Sequence, residues 1–431
     1  MPYKPYNWKN GPDFIQQHSI AKHQILQTYL AAYFRTLVSS PNQDSLKLTL
    51  VDGFAGGGMY IHSNTRELVN GSPLIFLDAA REAEFLINKD RYKPVKFSID
   101  YFFIEAEKYA YTHLDKVLRE AGYGDKIGNT IQLRHARFQD EADSIIEFIK
   151  KKNPRNGRSI FMLDQYGYKE APTQLIKHIF ANLPNAEVIL TFAVDSFLNY
   201  AADSKLTQSL LSSIGVPDIL QGRSFEEIKS SEKHWRLFIQ SALYRALVDR
   251  CGAKYYTPFF IRNKKGHGDY WLIHLSQHYK ARDVMTEVHW QHNNNFIHYG
   301  GPGLDMFQII GYDPVFDAAH LGQSALGFEF DDVARKSSIS TLVEQIPRLI
   351  YANDEGLSFG VLFATTCNGS PASAKIYRES IGKLLEEKLV EIVSEDSVKR
   401  RSANQIKLND QIIAPVQKVF AFGLKPFPFC I

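Results

Sequence analysis

Residues 47–59 read KLTLVDGFAGGGM, and this stretch decides the fold. Leu48, Leu50 and Val51 make a short apolar run that predicts a buried parallel strand. Asp52 closes the strand, and Gly53, Ala55, Gly56, Gly57 and Gly58 follow around Phe54. A turn of such small residues lets backbone N–H groups approach a ligand, because no Cβ blocks them and Gly accepts positive φ. The turn would lie at the carboxyl end of a strand, where open α/β sheets bind cofactors. Two better-known glycine motifs do not fit. A P-loop needs Lys and Ser/Thr after its last Gly, and Met59 and Tyr60 stand there. The dinucleotide pattern needs a third Gly at 61, which is Ile61.

The surrounding chain alternates strand and helix. Residues 13–39 predict an amphipathic helix from the spacing of Ile25, Leu26, Tyr29, Leu30, Tyr33 and Phe34. Lys22 and His23 near its middle could face the cofactor, but a solvated helix face is the expected reading. After the glycine turn a loop is expected over 60–71, then a helix begun by Ser72-Pro73. Residues 97–105 predict a second strand ending on Glu105, whose carboxylate could accept hydrogen bonds from both hydroxyls of a ribose. A helix follows over 106–121 and a third strand around 130–134, ahead of His135, Ala136 and Arg137. Helix 138–152 and strand 159–163 lead to Asp164-Gln165-Tyr166-Gly167, and a fifth strand spans 187–194. This order predicts a doubly wound, mostly parallel sheet. Residues 203–250 form a helical insertion, and strands at 255–261 and 270–275 precede a helix over 281–291.

From about 330 the pattern changes. Helices over 332–351, 359–366 and 370–388 precede a hairpin of 389–393 and 405–408, with a basic tip at Lys399-Arg400-Arg401. Helices followed by a β-hairpin are the order of a winged helix-turn-helix. Residues 331–431 hold 13 Lys/Arg and 12 Asp/Glu, so protein contact competes with nucleic-acid binding as its role. Two domains are therefore expected, 1–323 and 324–431.

Composition narrows the function classes. The formal charge of +3 implies no global polyanion field. Cys251, Cys367 and Cys430 form no C-x-x-C pair, which argues against a zinc knuckle or disulfide framework and fits a reducing cytoplasm. His289, His292 and His298 fit no zinc spacing, so no metal is expected. The N-terminus lacks the apolar core of a signal peptide, and no apolar run is long enough for a membrane span. Aromatic residues make up 13% of the chain, enough to supply surface rings for stacking bases.

Asp-x-Phe-Ala-Gly-x-Gly over 52–58 resembles the first motif of class I S-adenosylmethionine (SAM) methyltransferases, especially those acting on nucleic acids. VDGFAGGG at 51–58, GSPL at 71–74, LDQYG at 163–167, YWLIHLSQH at 270–278, Met285 and the winged-helix tail together resemble the three-Cys-motif partner protein family, TcmP. The resemblance implies a Rossmann-like class I methyltransferase sheet with helices on both faces, plus a C-terminal winged helix. It also implies a three-Cys-motif protein as partner and S-adenosyl-L-methionine held by Asp52, Gly53, Phe54, Ala55, Gly56, Gly58 and Glu105. The family's usual tetrapeptide after the fourth strand is Asp-Pro-Phe/Tyr-Gly, and Gln165 replaces the Pro here. Asp164-Gln165-Tyr166-Gly167 is also similar to Asp-Pro-Phe-Gly of tRNA guanine-N2 methyltransferases. In that reading Asp164 accepts the hydrogens of an exocyclic amine and Tyr166 stacks on the base. Cytosine-C5 methylation fits poorly, since no Cys lies within 80 residues of Asp164. The expected function is SAM-dependent methylation of nucleic acid at an exocyclic amine. The alternative is a non-catalytic partner or DNA-binding regulator that keeps the fold.

Overall fold

The structure is a computed structural model, and it describes residues 6–165, 169–192, 197, 202–220, 222–231, 235–261, 270–293, 296–298, 301–304 and 328–415. The chain divides into two compact units, Met1–Ile297 and His298–Ile431. In the first unit β1 is Phe14–Ile15, α1 Gln17–Leu37, β2 Ser45–Asp52, β3 Met59–His62, β4 Leu68–Asn70, α2 Ser72–Asn88 and β5 Lys96–Glu105. Then come α3 Lys108–Leu118, β6 Ile131–His135, α4 Phe138–Lys152, β7 Ser159–Leu163, α5 Thr173–Asn182 and β8 Ala186–Phe192. Helices Lys205–Ile214, Phe225–Ser231 and Trp235–Cys251 precede β9 Tyr255–Ile261, β10 Tyr270–Ser276, helix Tyr279–Gln291 and β11 Phe296–His298.

The main sheet of this unit runs β11-β9-β10-β8-β7-β2-β5-β6. Its centre is parallel, with β2 paired to both β5 and β7, β5 to β6 and β7 to β8, while β10 lies antiparallel between β8 and β9. β7 and β8 are buried at every residue and β2 at its last five, as a strand covered on both faces must be. On one face α1 packs on α2 and on helix Tyr279–Gln291; on the other α5 packs on α4 and on helix Trp235–Cys251. This is the expected Rossmann-like sheet, mostly parallel and with helices on both faces. From β2 the chain builds outward through β5 and β6, then returns to lay β7 on the other side. That reversal opens a crevice beyond the carboxyl ends of β2 and β7.

The expected loop over 60–71 is instead a hairpin. β3 and β4 pair antiparallel, and β1 joins β3 in parallel. The reason is a separate small core in which Trp8, Ile15, Tyr60 and Ala110 are buried together, with Tyr6 and Val69 against them. Tyr60 and Ile61 are good strand formers whose partners lie far off in sequence.

In the second unit, helix Asp332–Tyr351 is capped by the Asp331 side chain, which accepts the Ala334 amide. Strand Leu357–Ser358, helix Phe359–Thr366, helix Ala374–Glu386, strand Glu391–Val393 and strand Gln411–Ile413 follow. The last strand lies between the other two, giving a winged helix-turn-helix. Two expected boundaries move. The third helix starts at Ala374, because Ser373 rather than Ser370 caps it. The returning strand is Gln411–Ile413, not 405–408. Leu408 and Asp410 carbonyls accept the Gly360 and Phe359 amides, so that stretch caps a helix start instead. No helix among the described residues is long and apolar enough to cross a membrane.

Candidate functional site

The glycine turn is built as tightly as its composition allows. Gly56 and Gly58 have φ of +60° and +80°, where other residues are strained. A Cβ on Gly57 would lie 2.3 Å from the Trp8 ring, and one on Gly58 2.6 Å from Leu114 Cδ1. At Gly53 it would meet Leu163 at 2.8 Å, and at Gly56 the Tyr60 hydroxyl at 2.7 Å. The chain's own side chains thus use the room at each glycine. His113 Nδ1 donates to the Gly57 carbonyl at 2.6 Å, and Trp8 packs edge-on to Tyr60. Phe54 and Gly56 keep partial exposure, while Ala55 is buried.

Asp52 ends β2 fully buried. Its Oδ1 accepts the Phe54 amide at 3.1 Å, and its Oδ2 has no hydrogen-bond partner. Burial pushes its carboxyl up to about 7; the nearby Ser72 hydroxyl and the Phe54 amide pull down, and the charges of Asp164 and Glu105 push further up. Glu105 ends β5. Its Oε2 accepts the Gly56 amide at 2.8 Å and its Oε1 the Glu107 amide at 2.7 Å. Burial raises its pKa, against the pull of those amides.

Asp164 follows β7 and meets Lys22 of α1. Lys22 Nζ donates to Oδ1 at 2.6 Å and to Oδ2 at 2.5 Å. The Lys22 side chain is 4% exposed and that of Asp164 26%, so the carboxylate has an open side and the ammonium does not. The reading of Lys22 as a solvated residue is therefore overturned. The signal was present: Lys22 stands three residues before Ile25 and seven before Tyr29, on the buried stripe of the helix. Burial works against ionisation of Asp164, but Lys22, with help from Thr191 and His18, outweighs it and holds the carboxyl below its ordinary value. Burial, reinforced by Lys22, lowers His18 to about 3 and His23 to about 4, so both rings are neutral at pH 7. His23 is half-buried against Tyr60.

Gln165 is a bracket. Its Oε1 accepts the Glu170 and Ala171 amides at 3.0 and 3.1 Å, and its Nε2 donates to the Thr191 carbonyl at 3.5 Å. Tyr166 lies outside the described residues. Asp52, Glu105 and Asp164 thus gather at one edge of the sheet, joined by Lys22, which the sequence reading had set on the solvated face.

Other motif residues serve elsewhere. His274 of β10 is fully buried, and its Nε2 bonds Glu187 at 2.8 Å and the Tyr29 hydroxyl at 3.1 Å. His289 is buried in its helix, and His292 bonds Thr28 Oγ1 at 2.7 Å. The basic tip of the wing is largely neutralised within its own unit. Lys399 pairs with Glu391 at 2.6 Å, and Arg400 grips the buried Asp410 with two nitrogens at 2.9 and 3.1 Å. Arg401 is exposed and makes no ion pair among the described residues.

A family model described as the GMT-like wHTH domain matches residues 311–397. No curated protein matches the chain significantly. Among solved structures the chain is similar to a Legionella pneumophila protein of family model DUF519, at 10% identity over 59% of this chain and 85% of that one, with a TM-score of 0.33. It is similar to Trm1 from Pyrococcus horikoshii in complex with S-adenosyl-L-methionine, at 11% identity over 95% and 94%, with a TM-score of 0.31. It is also similar to the bifunctional kinase-methyltransferase WbdD, at 10% identity over 60% of this chain, with a TM-score of 0.29. The chain spans only 39% of WbdD. These likenesses are distant, and the class of fold rests on the order and direction of the strands.

Proposed function

We propose that residues 1–323 form a SAM-dependent methyltransferase domain acting on nucleic acid at an exocyclic amine, and 324–431 a winged-helix domain serving it. One observation carries this reading: three carboxylates, Asp52, Glu105 and Asp164, stand at the ends of β2, β5 and β7 beside the topological switch point. SAM carries a sulfonium and an ammonium, and its chemistry is donation of a methyl group from positively charged sulfur. The residues fit such a ligand. Asp52 keeps an unpartnered buried oxygen for a cationic group, and Glu105 keeps lone pairs for ribose hydroxyls. Asp164 would accept an amine N–H and orient the nitrogen, and Tyr166 would stack on the base. The family resemblance supports a three-Cys-motif protein as partner, and the three scattered cysteines, with no C-x-x-C pair, support a cytoplasmic setting.

A second reading has its own support. Lys22 engages both oxygens of Asp164, and side chains fill the room at the glycines. A non-catalytic partner or regulator that keeps the fold would tolerate both. Calorimetry with SAM, then single-turnover transfer of labelled methyl to total RNA and DNA of the source cell, separates the two. The catalytic reading expects Asp164→Ala to slow transfer about a hundredfold with SAM affinity nearly unchanged, since small misplacement of a reactant costs that much. No SAM binding at millimolar ligand, or transfer by Asp164→Ala at the wild-type rate, leaves the non-catalytic reading in its place.

A further inference from the structure

We propose that Lys22 is a positioning residue for this transfer: by gripping both oxygens of Asp164 it presents a charge-balanced, acceptor-only carboxylate that selects an uncharged N–H donor over a cationic acceptor. The inference rests on the methyl-transfer reading and adds the residue that tunes its acceptor site.

The geometry sets the terms. Lys22 reaches Asp164 across 142 residues of sequence and makes two short bonds to it. The ammonium is closed off, and the carboxylate is the partner that stays open. The described groups around Asp164 come from several elements. His18 and His23 lie on α1, Thr191 on β8 and Tyr6 on the N-terminal segment, while Asp52 ends β2 and has Glu105 of β5 as its own neighbour. The two histidines are neutral at pH 7, so within this set the positive charge belongs to Lys22. Without it, three carboxylates would share one buried edge, and like charges in that setting force a proton onto one of them. A protonated Asp164 would offer an O–H to the acceptor, the wrong polarity for an amine.

With Lys22 in place each Asp164 oxygen retains a lone pair beyond the Lys22 bond. An amine can donate an N–H there while its own lone pair stays available. That lone pair forms the new N–C bond; the S–C bond breaks with its electrons kept by sulfur, and the displaced amine proton passes through Asp164 to water. A cationic ammonium has no lone pair to give. It also finds no net negative charge at the Lys22–Asp164 pair to draw it in. The exocyclic amine of a nucleobase fits both requirements.

Lys22→Met, Lys22→Arg and the double variant Lys22→Met/Asp164→Asn test this. In single-turnover transfer to total RNA and DNA, Lys22→Met should lose at least about tenfold at pH 7 and recover as pH rises, because its Asp164 must shed a proton first. Lys22→Arg should keep the wild-type pH profile. Thermal melts supply an activity-independent readout: the gap in Tm between the double variant and Lys22→Met should widen from pH 5 to pH 8, as ionisation of an unpaired Asp164 becomes costly. The double variant leaves no charge unpaired, so it reports even where Lys22→Met folds poorly. An active wild type whose Lys22→Met variant keeps its rate and pH profile, or a Tm gap independent of pH, overturns the role of Lys22 alone. A wild type that transfers no methyl group overturns the methyl-transfer reading and this role with it.

Discussion

The Glu105 carboxylate accepts the Gly56 amide at 2.8 Å, so the end of β5 holds the glycine turn that follows β2. One side chain therefore shapes the turn and faces the place expected for a ribose. Glu105→Ala should weaken SAM binding by about 1.5–3 kcal/mol, the usual worth of a hydrogen bond to a charged group. It should also lower Tm, because the Gly56 and Glu107 amides lose their acceptor. Glu105→Gln keeps one acceptor oxygen and should lose less on both counts. Calorimetry and melting of the two variants check this; an Ala variant with wild-type affinity and Tm would remove Glu105 from both roles.

The glycines separate packing from ligand binding. Gly57→Ala drives a methyl group into the Trp8 ring and should cost about 1–3 kcal/mol, the range for overpacking. Its signature would be a red shift of tryptophan fluorescence as Trp8 becomes exposed. Gly56→Val adds bulk where φ is +60° and should abolish SAM binding. A Gly56→Val protein that binds SAM normally would show that the ligand does not approach this turn.

Asp52 makes a pH prediction with a definite sign. Its folded pKa, about 7, lies above its ordinary value of 3.8, so folding takes up a proton between those limits. Its cost is absent below about pH 4, grows from pH 4 to 7, and is then constant at up to about 4 kcal/mol. His18 and His23, with lowered pKa values, act in the opposite direction and cancel when wild type is compared with Asp52→Asn. The stability of wild type relative to that variant should therefore fall from pH 4 to 7 and level off above. A cationic ligand favours ionised Asp52, so SAM binding at pH 6 should release a proton. Titrations in buffers of different ionisation enthalpy measure it, and a pH-independent difference in stability would refute the assignment.

In the winged unit the three basic residues should not behave alike. Arg400→Ala strips the buried Asp410 of its partner and should lower Tm whatever the unit binds. Arg401→Ala should leave Tm unchanged. If the unit contacts nucleic acid through this tip, Arg401→Ala should flatten the plot of log K against log salt by nearly one unit per lost phosphate contact. An unchanged slope would assign the tip to a protein partner.

Local sequence was enough for the main sheet apart from β11, Phe296–His298, which no local pattern marks as a strand. Strand β7 and helix α4 coincide with their expected ranges: residues 160–163 are an apolar run of strand length, and Ala142, Ile145, Ile146 and Ile149 recur at helical spacing. The hairpin of β3 and β4 was hidden, since Tyr60 and Val69 gain their partners from Trp8, Ile15 and Ala110, which are remote in sequence. The wing misled for a related reason. Residues 405–408 resemble a strand locally, but the backbone at Leu408 and Asp410 bonds to the start of helix Phe359–Thr366.

The site divides along the same line. Asp52, the glycines, Glu105 and Asp164 were legible in the sequence, because residues ending the parallel strands of one sheet must share one edge. Their charge states were not. Whether a carboxyl is ionised depends on burial and on charges that only the fold brings near it. The Lys22–Asp164 pair, the neutral His18 and His23, and the proton poised on Asp52 exist because α1 lies where its lysine meets the end of β7. The charge of Lys22 reads as solvated although its spacing matches the buried stripe of α1; only the tertiary structure, which places Asp164 opposite it, decides for burial.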